Sequence, residues 1–187
     1  MTTDITFEAF PKIGRLSRGM TITEKLDGTN AQIIITDDGR VAAGSRTRLI
    51  TPGKLTDNFG FAGWVEDHKD ELLLLGPGRH FGEWWGHGIQ RRYDLKEKRF
   101  SLFNANRWTA PNAVLPPCCS LVPVLFRGEF NSARVDLAMK LLKQDGSWAA
   151  PGFMNPEGII ILHEATRTLY KKTYEHDEKG KEFDIAA

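Results

Sequence analysis

The sequence lacks long hydrophobic runs. Its apolar stretches, such as the four leucines of residues 72–75, fall far short of the roughly 20 residues that cross a bilayer. The first residues also lack the basic start and the apolar segment of a secretory signal. We therefore expect neither a membrane span nor a membrane partner.

Cysteine is scarce, since the chain has only two, Cys118 and Cys119, which are neighbours. Adjacent cysteines cannot join distant parts of a fold in the usual disulfide geometry. We expect a pair of buried thiols and a reducing, cytoplasmic location.

Net charge is also nearly absent, because 25 Lys and Arg residues face 24 Asp and Glu residues, a formal charge of +1. A protein that coats nucleic acid without sequence specificity would be strongly basic, so this class of protein is disfavoured, although a local basic groove is still allowed. With 187 residues and 41% hydrophobic residues, the chain fits one globular domain over 1–187 with a sizeable core. Residues 176–187 are charge-rich and are predicted to form an exposed tail.

The patterning predicts strands more often than helices. Apolar or alternating runs bounded by turn residues predict eight strands, at 20–24, 30–36, 39–43, 80–86, 99–103, 121–126, 158–163 and 168–174. Asp38-Gly39 is a hairpin signal between the second and third. Helical spacing appears at 57–75 and 132–143. Since strands and helices do not alternate, an α+β fold with mostly antiparallel sheets is favoured.

The segment Glu24-Lys25-Leu26-Asp27-Gly28-Thr29-Asn30 is the sharpest local feature. It places a lysine at the end of a strand, an acid two residues later and a glycine turn. A nucleophilic lysine needs cationic neighbours or desolvation. On this segment alone, a surface lysine beside an Asp-Gly turn is the simpler reading.

Further patches follow Lys25 in order: Ser45-Arg46-Thr47-Arg48, His80-Phe81-Gly82-Glu83-Trp84-Trp85-Gly86, Arg99-Phe100-Ser101-Leu102-Phe103-Asn104, Asn155-Pro156-Glu157-Gly158 and Leu169-Tyr170-Lys171-Lys172. The series resembles the covalent nucleotidyltransferase superfamily of ATP-dependent polynucleotide ligases and capping enzymes. Residues 25–28, 81–86, 100–104, 157–158 and 171–172 look like its motifs I, III, IIIa, IV and V. Five patches in the family's order form a specific signal.

Within that superfamily, Gly28-Thr29-Asn30 and Arg46 look most like the RNA ligase 2 branch, which includes kinetoplastid editing ligases. The resemblance implies a single nucleotidyltransferase (adenylation) domain of antiparallel sheets flanked by helices, with ATP in a cleft. It also implies Mg²⁺, replaceable by Mn²⁺, and nucleic-acid ends with a 5′-phosphate and a 3′-hydroxyl, RNA favoured. The implied reaction passes AMP from a lysine to the 5′-phosphate before the 3′-hydroxyl seals the strand.

The resemblance also assigns roles to residues. Lys25 would be the nucleophile and Asp27 its motif I acid, Glu157 would orient the lysine or the water shell of the metal, and Lys171 would hold the α-phosphate. The implied nucleotide-binding residues are Glu24, Asn30, Arg46, Glu83, Phe103, Lys171 and Lys172, with Glu83 on the ribose and Phe103 on the adenine. The metal residue would be Glu157.

Several alternatives stay open at this point. If 168–174 is a strand, only one of Lys171 and Lys172 faces the site, with Lys171 preferred, and either Phe100 or Phe103 stacks on the base. Only 15 residues follow Lys172, so we expect no C-terminal oligonucleotide-binding domain and a possible helper domain or protein. A capping enzyme is thereby disfavoured. A minimal DNA ligase and a non-catalytic binding module are the remaining alternatives.

Two other clusters, one of histidines and one of basic residues, have simpler interpretations than a binding site. His80, Glu83 and His87 lack the spacing of a zinc site, so no zinc is expected. The basic run from Arg91 to Arg99 is typical of a solvated hairpin, but its place between two motifs makes contact with a phosphate backbone equally plausible.

Overall fold

The computed structural model describes residues 5–111 and 113–177, which form two β-sheets with helices packed on them. The elements in chain order are β1 (Gly19–Lys25), β2 (Thr29–Ile35), β3 (Val41–Ser45), β4 (Leu49–Ile50), α1 (Phe61–Asp67), α2 (Lys69–Leu72), a 3₁₀ turn (Leu73–Leu75), β5 (Gly78–Gly86), β6 (Lys98–Leu102), α3 (Ala105–Trp108), β7 (Cys119–Leu121), β8 (Val124–Glu129), α4 (Ser132–Asp145), β9 (Gly158–His163) and β10 (Thr168–Thr173).

The strands are divided between two sheets. Sheet A has the order β10-β9-β1-β8, and sheet B has the order β4-β3-β2-β5-β6-β7. All pairings are antiparallel except that of β6 with β7. The predicted α+β class with mostly antiparallel sheets is confirmed.

Seven of the predicted strands match single observed strands to within a few residues, and β2 and β3 are joined at the predicted Asp38-Gly39 hairpin. The predicted strand at 121–126 was wrong as one element. Its residues are shared between β7 in sheet B and β8 in sheet A, because the chain leaves one sheet and enters the other around Pro123, which has no N–H to donate to a ladder. The short strands β4 and β7 were missed because two or three residues show no alternation.

The helix predicted at 57–75 is broken into α1, α2 and the 3₁₀ turn. It begins at Phe61, and the Asp57 carboxylate accepts hydrogen bonds from the backbone N–H groups of Ala62 and Gly63, at 2.7 and 3.0 Å. The second helix is confirmed as α4. The Asn131 side chain caps it by accepting from Ala133 N–H, and Gly146 follows its last residue.

Each sheet packs one face on its own core. On sheet A, Met20, Ile22 and Ile159 pack against α4, and on sheet B, Ile33, Trp84 and Phe100 pack against α1. A third, smaller cluster contains Leu26, Trp85, Tyr93, Val122 and Ala150, and it lies where the chain passes between the sheets. The free faces of the two sheets are thereby left to line a cleft.

Cys118 and Cys119 are free thiols with sulfurs 4.0 Å apart; Cys119 is buried as predicted, whereas Cys118 is only half-buried. Burial raises the pKa of the Cys118 thiol. In the described part of the chain, no helix has the length and apolar character needed to cross a membrane. The predicted tail at 176–187 lies beyond the described residues from position 178 onward.

Candidate active site

A cleft of about 1040 Å³ lies between the two sheets. Thr21, Thr23 and Lys25 of β1 line it together with Ile160 and Leu162 of β9, and sheet B contributes the facing wall through Asn30, Gln32, Phe81 and Glu83. We call the Lys25 end, which also holds Asn30 and Glu83, the inner end. The opposite end, with Arg79, Arg107 and Arg167, is the outer end.

Lys25 is the last residue of β1, and its Nζ lies 2.5 Å from Oε2 of Glu157. The sheet register explains this contact, because Lys25 pairs with Gly158 and Glu157 immediately precedes that residue. Gly158 has φ 152°, and a Cβ there would lie 2.2 Å from the Lys172 carbonyl oxygen. Only glycine therefore lets β10 approach β9 beside the Lys25–Glu157 pair.

The pair is partly shielded, with 24% of the Lys25 side chain and 18% of the Glu157 side chain exposed. Burial raises the pKa of Glu157, and the hydrogen bond from Lys25 opposes that rise. A partly desolvated carboxylate beside an amine orients the amine and can accept its proton. Glu157 is also an oxygen donor of the kind that Mg²⁺ prefers when it retains several waters.

Glu83 lies on β5 at the inner end and is 93% buried, since only 7% of it is exposed. Its Oε1 accepts from Gly28 N–H at 3.0 Å and its Oε2 accepts from Asn30 Nδ2 at 3.1 Å. Burial raises the pKa of Glu83 to about 7, against the opposing effect of the nearby Lys25 charge. Gly28 makes this contact possible, because a Cβ there would lie 2.4 Å from the Trp84 carbonyl oxygen.

Phe103 and Phe100 differ completely in environment. Phe103 is 41% exposed and lines the cleft, whereas Phe100 is fully buried with its ring centroid 5.2 Å from that of Phe61. Phe100 is thus a core residue, and Phe103 is the ring of this pair that a base can reach. Trp84 and Trp85, which follow Glu83 on β5, are both buried in the core.

The alternation of β10 separates Lys171 from Lys172. Lys171 is paired with Ile160, a cleft-lining residue, so it lies on the cleft face of sheet A. Lys172 lies on the other face, where its Nζ is 2.9 Å from Asp136 of α4. The structure therefore does not bring Lys172 to the cleft, contrary to its predicted role in nucleotide binding.

Glu24 has a second, structural task. Its side chain is buried, and Oε2 accepts from the backbone N–H groups of Trp148 and Ala149 at 2.9 and 3.0 Å. This carboxylate holds the loop after α4, and because Glu24 also lines the cleft, its contact with nucleotide stays a prediction. Arg46, by contrast, is exposed at the rim of the cleft just after β3.

Asp27 lies in the crossing segment, residues 26–28, which connects β1 of sheet A with β2 of sheet B. Its Oδ2 is 3.0 Å from Nε of Arg91, and its backbone N–H donates to the Tyr93 hydroxyl at 2.7 Å. Sequence reasoning did not find Arg91 or Tyr93 as site residues. The only signal was the position of Arg91 in the basic run between two motifs.

Most cations of that basic run are engaged within the protein. Arg91 contacts Asp27, Lys98 donates to the Phe59 carbonyl at 2.6 Å, and Arg99 pairs with Glu97. Arg92 and Lys96 are exposed. A continuous basic strip for a phosphate backbone is therefore not formed here.

The histidines near Glu83 form no metal centre. The ring of His80 is bonded to the Gly76 carbonyl and that of His87 to the Leu95 carbonyl. Throughout residues 5–111 and 113–177, no group of three or more His, Cys, Asp or Glu side chains is placed to hold a metal ion.

Three arginines that line the outer end of the cleft, Arg79, Arg107 and Arg167, were also not predicted from the sequence.

A family model and several solved structures both relate this chain to RNA ligases. The model of the RNA ligase family matches residues 19–176. A Naegleria gruberi RNA ligase variant with AMP and Mn superposes with a TM-score of 0.61 at 18% identity, covering 90% of this chain and 53% of that one. A variant with ATP and Mn gives 0.60 at 19% identity, covering 88% and 52%, and the ligase with PPi gives 0.60 at 18%, covering 84% and 50%. The chain thus spans about half the length of these structures. A search of curated proteins finds no match.

Proposed function

Because the chain belongs to the RNA ligase family, we propose that it is an ATP-dependent RNA ligase that carries AMP on Lys25. The observation that supports this most directly is the Lys25–Glu157 pair, which lies at the inner end of a nucleotide-sized cleft. The Naegleria gruberi structures with ATP, AMP, PPi and Mn supply the cofactor chemistry proposed for this cleft.

In the proposed first step, Lys25 gives up a proton and its Nζ attacks the α-phosphorus of ATP. A P–N bond forms and the bond from the α-phosphorus to the bridging oxygen breaks, so pyrophosphate leaves. The 5′-phosphate of the RNA then displaces Lys25 and takes the AMP, and the 3′-hydroxyl displaces AMP to form the phosphodiester bond. Positioning and charge neutralisation account for most of the catalysis of such transfers.

The surrounding side chains have matching proposed roles. Glu83 would accept hydrogen bonds from the ribose hydroxyls, Phe103 would stack on the adenine, and Asn30 would bind nucleotide or the attacking 3′ end. Arg46 and Lys171 would bind phosphate oxygens. Bound Mg²⁺, or Mn²⁺ in its place, would neutralise phosphate charge, and Glu157 is the side chain proposed to hold its water shell.

Labelled ATP gives the decisive experiment. Incubation with α-labelled ATP and Mg²⁺ should give a covalent, acid-labile AMP adduct that Lys25→Ala abolishes. Lys172→Ala is the matched control, because it removes a lysine outside the cleft and should leave the adduct in place. Absence of an adduct on the wild-type protein would refute the lysyl-AMP mechanism. If such a protein still bound nucleic acid, the binding-module alternative would be supported.

The substrate class is tested separately. We propose RNA ends, with a helper domain or protein assisting end recognition, since the chain spans about half of the ligases it matches and its net charge is only +1. Among nicked RNA, nicked DNA and hybrid duplexes, nicked RNA should be sealed fastest. Preferential sealing of nicked DNA would favour the DNA ligase alternative. The two free thiols support a reducing, cytoplasmic location as part of this proposal.

A further inference from the structure

The loop between β5 and β6 has an unusual backbone. Gln90, Arg92, Tyr93 and Asp94 all have positive φ, at 43°, 61°, 53° and 54°, and none of them is glycine. A left-handed conformation costs an L residue about 1–2 kcal/mol, and such residues persist only where their surroundings over-determine them. The loop must therefore make contacts that offset this strain.

Arg91 makes those contacts. Its Nε lies 3.0 Å from Oδ2 of Asp27, Nη1 donates to the Asn155 carbonyl at 3.3 Å, and Nη2 donates to Oε2 of Glu175 at 3.2 Å. Only 16% of the Arg91 side chain is exposed. Arg91 therefore points inward, where it forms an ion pair with Asp27 and donates two hydrogen bonds, to Asn155 and Glu175.

The three partners come from three separate parts of the proposed active site. Asp27 belongs to the crossing segment, two residues after Lys25. Asn155 lies two residues before Glu157, and Glu175 lies two residues after the end of β10. Arg91 is carried by a loop of sheet B, so it joins that sheet to the ends of three strands of sheet A, β1, β9 and β10.

Tyr93 reinforces the same attachment. Its hydroxyl accepts the Asp27 N–H, and its ring packs against Trp85 and Phe153 with centroids 4.8 Å away in each case. The two loop residues thus hold Asp27 by its side chain and by its backbone.

From this geometry we propose that Arg91 is a positioning residue for the lysyl-AMP reaction. By fixing both the segment after Lys25 and the segment before Glu157, it keeps the Nζ and the carboxylate in the relation needed for attack on the α-phosphorus. The inference rests on the proposed function. Arg91 is not among the side chains that line the cleft, so it acts through Asp27 and Asn155 without touching nucleotide.

The chemistry of arginine suits this task. Its planar group offers five N–H donors in a fixed fork, whereas lysine offers one ammonium at the end of a flexible stem. Lysine at position 91 can pair with Asp27 but cannot hold all three partners at once. Arg91→Lys should therefore recover only part of the activity that Arg91→Met loses.

The test is the rate of AMP transfer to the protein in a single turnover. We expect Arg91→Met to lower the maximal rate about 10- to 100-fold, since misplacement by about 1 Å has effects of that size. The ATP concentration at half-maximal rate should change less than about threefold, and Arg91→Lys should give an intermediate rate. Arg92→Met is the matched control, because the neighbouring arginine is exposed, and it should react at the wild-type rate.

A milder variant guards against simple unfolding. Glu175→Gln removes the charge of one partner and should slow the reaction about 3- to 10-fold while the thermal midpoint stays close to that of the wild type. In a double-mutant cycle, Asp27→Asn combined with Arg91→Met should be no slower than the slower single variant, because both act through one contact.

Three results would overturn the inference: a wild-type maximal rate in folded Arg91→Met, a wild-type rate in Glu175→Gln, or an effect confined to the ATP concentration dependence. These outcomes differ from failure of the proposed function, in which the wild-type protein itself forms no adduct.

Discussion

Glu83 is a buried acid that accepts hydrogen bonds from two donors, Gly28 N–H and Asn30 Nδ2. These two hydrogen bonds do not fully offset the cost of burying a charged carboxylate. The consequence is a pKa raised to about 7 by burial. Near neutral pH the group is therefore partly protonated in the ligand-free domain. Ribose hydroxyls would supply the donors that an ionised Glu83 lacks.

This gives a prediction for stability against pH. Because the pKa of Glu83 is raised from 4.5 to about 7 on folding, its protonated form stabilises the fold below pH 4.5, and this contribution is lost as the pH rises through 7. Glu83→Gln cannot titrate. Relative to this variant, the wild type should lose up to about 3 kcal/mol of unfolding free energy between pH 5 and pH 8.

Urea denaturation at several pH values measures that difference. Burial also raises the pKa values of Glu24 and Glu157, and both groups are present in the wild type and in the variant. The difference between the two curves therefore reports Glu83 together with its Coulombic coupling to Glu157 and Lys25. Glu66→Gln, at an exposed position of α1, is the control and should follow the wild-type curve. Parallel curves for the wild type and Glu83→Gln would contradict the prediction.

Some residues of the site could be predicted from the sequence and others could not. Lys25 and Glu157 lie in short local motifs, and the register of β1 with β9 brings them together as the resemblance implied. Arg91 could not be found in this way, because its partners are 64 to 84 residues away in the chain and a basic run carries no mark of which cation turns inward.

At the scale of elements, the alternation of β10 determines which of two neighbouring lysines faces the cleft. Successive residues of a strand point to opposite faces, so Lys171 and Lys172 cannot both enter the cleft. The pairing with β9 puts Lys171 beside Ile160 on the cleft side and Lys172 beside α4.

This separation predicts different effects for two chemically identical changes. Lys171→Ala should lower the rate of AMP adduct formation about 100-fold, since it removes a cation proposed to hold the α-phosphate. Lys172→Ala should change the rate less than about threefold and stability by less than about 1 kcal/mol, because its pair with Asp136 is exposed. Adduct formation over time measures the rates, and equal losses in the two variants would refute the assignment of faces.

The accuracy of the predicted elements follows their length and local signals. Strands of five or more residues with clear alternation were located well, and Asn131 and Gly146 marked both ends of α4 correctly. The helix predicted at 57–75 failed at its start, because apolar spacing does not reveal that residues 51–60 form turns and that Asp57 caps from outside the helix. Sheet membership was also beyond local pattern, as the division of 121–126 shows.

At the scale of the whole molecule, the balance of charge limits how the proposed RNA substrate can be bound. With a net charge of +1, binding should depend on a few cations around the cleft, such as Arg46 and Lys171, and not on the whole surface.

We therefore expect a modest salt dependence for single-stranded RNA. Neutralising about three phosphates gives a slope of about −2 for the logarithm of the binding constant against the logarithm of salt concentration. Arg46→Ala should reduce that slope by about 0.7, whereas Arg40→Ala, which alters an exposed pair with Asp38 on the β2–β3 turn, should not. Fluorescence anisotropy with labelled RNA measures the slope, and a value near −10 would indicate a broad basic surface instead.

Within the described residues, the chain passes between the two sheets at two places. One is the crossing segment, 26–28, and the other is at 122–123, where Val122 N–H donates to Leu102 of β6 and Pro123 accepts from Glu24 of β1. Leu26 and Val122 share one apolar cluster, so both links lie at the inner end of the cleft. A rotation of one sheet against the other about these links displaces each atom in proportion to its distance from them. In such a rotation Arg79, Arg107 and Arg167 at the outer end would move farthest and Lys25, beside the links, would move least.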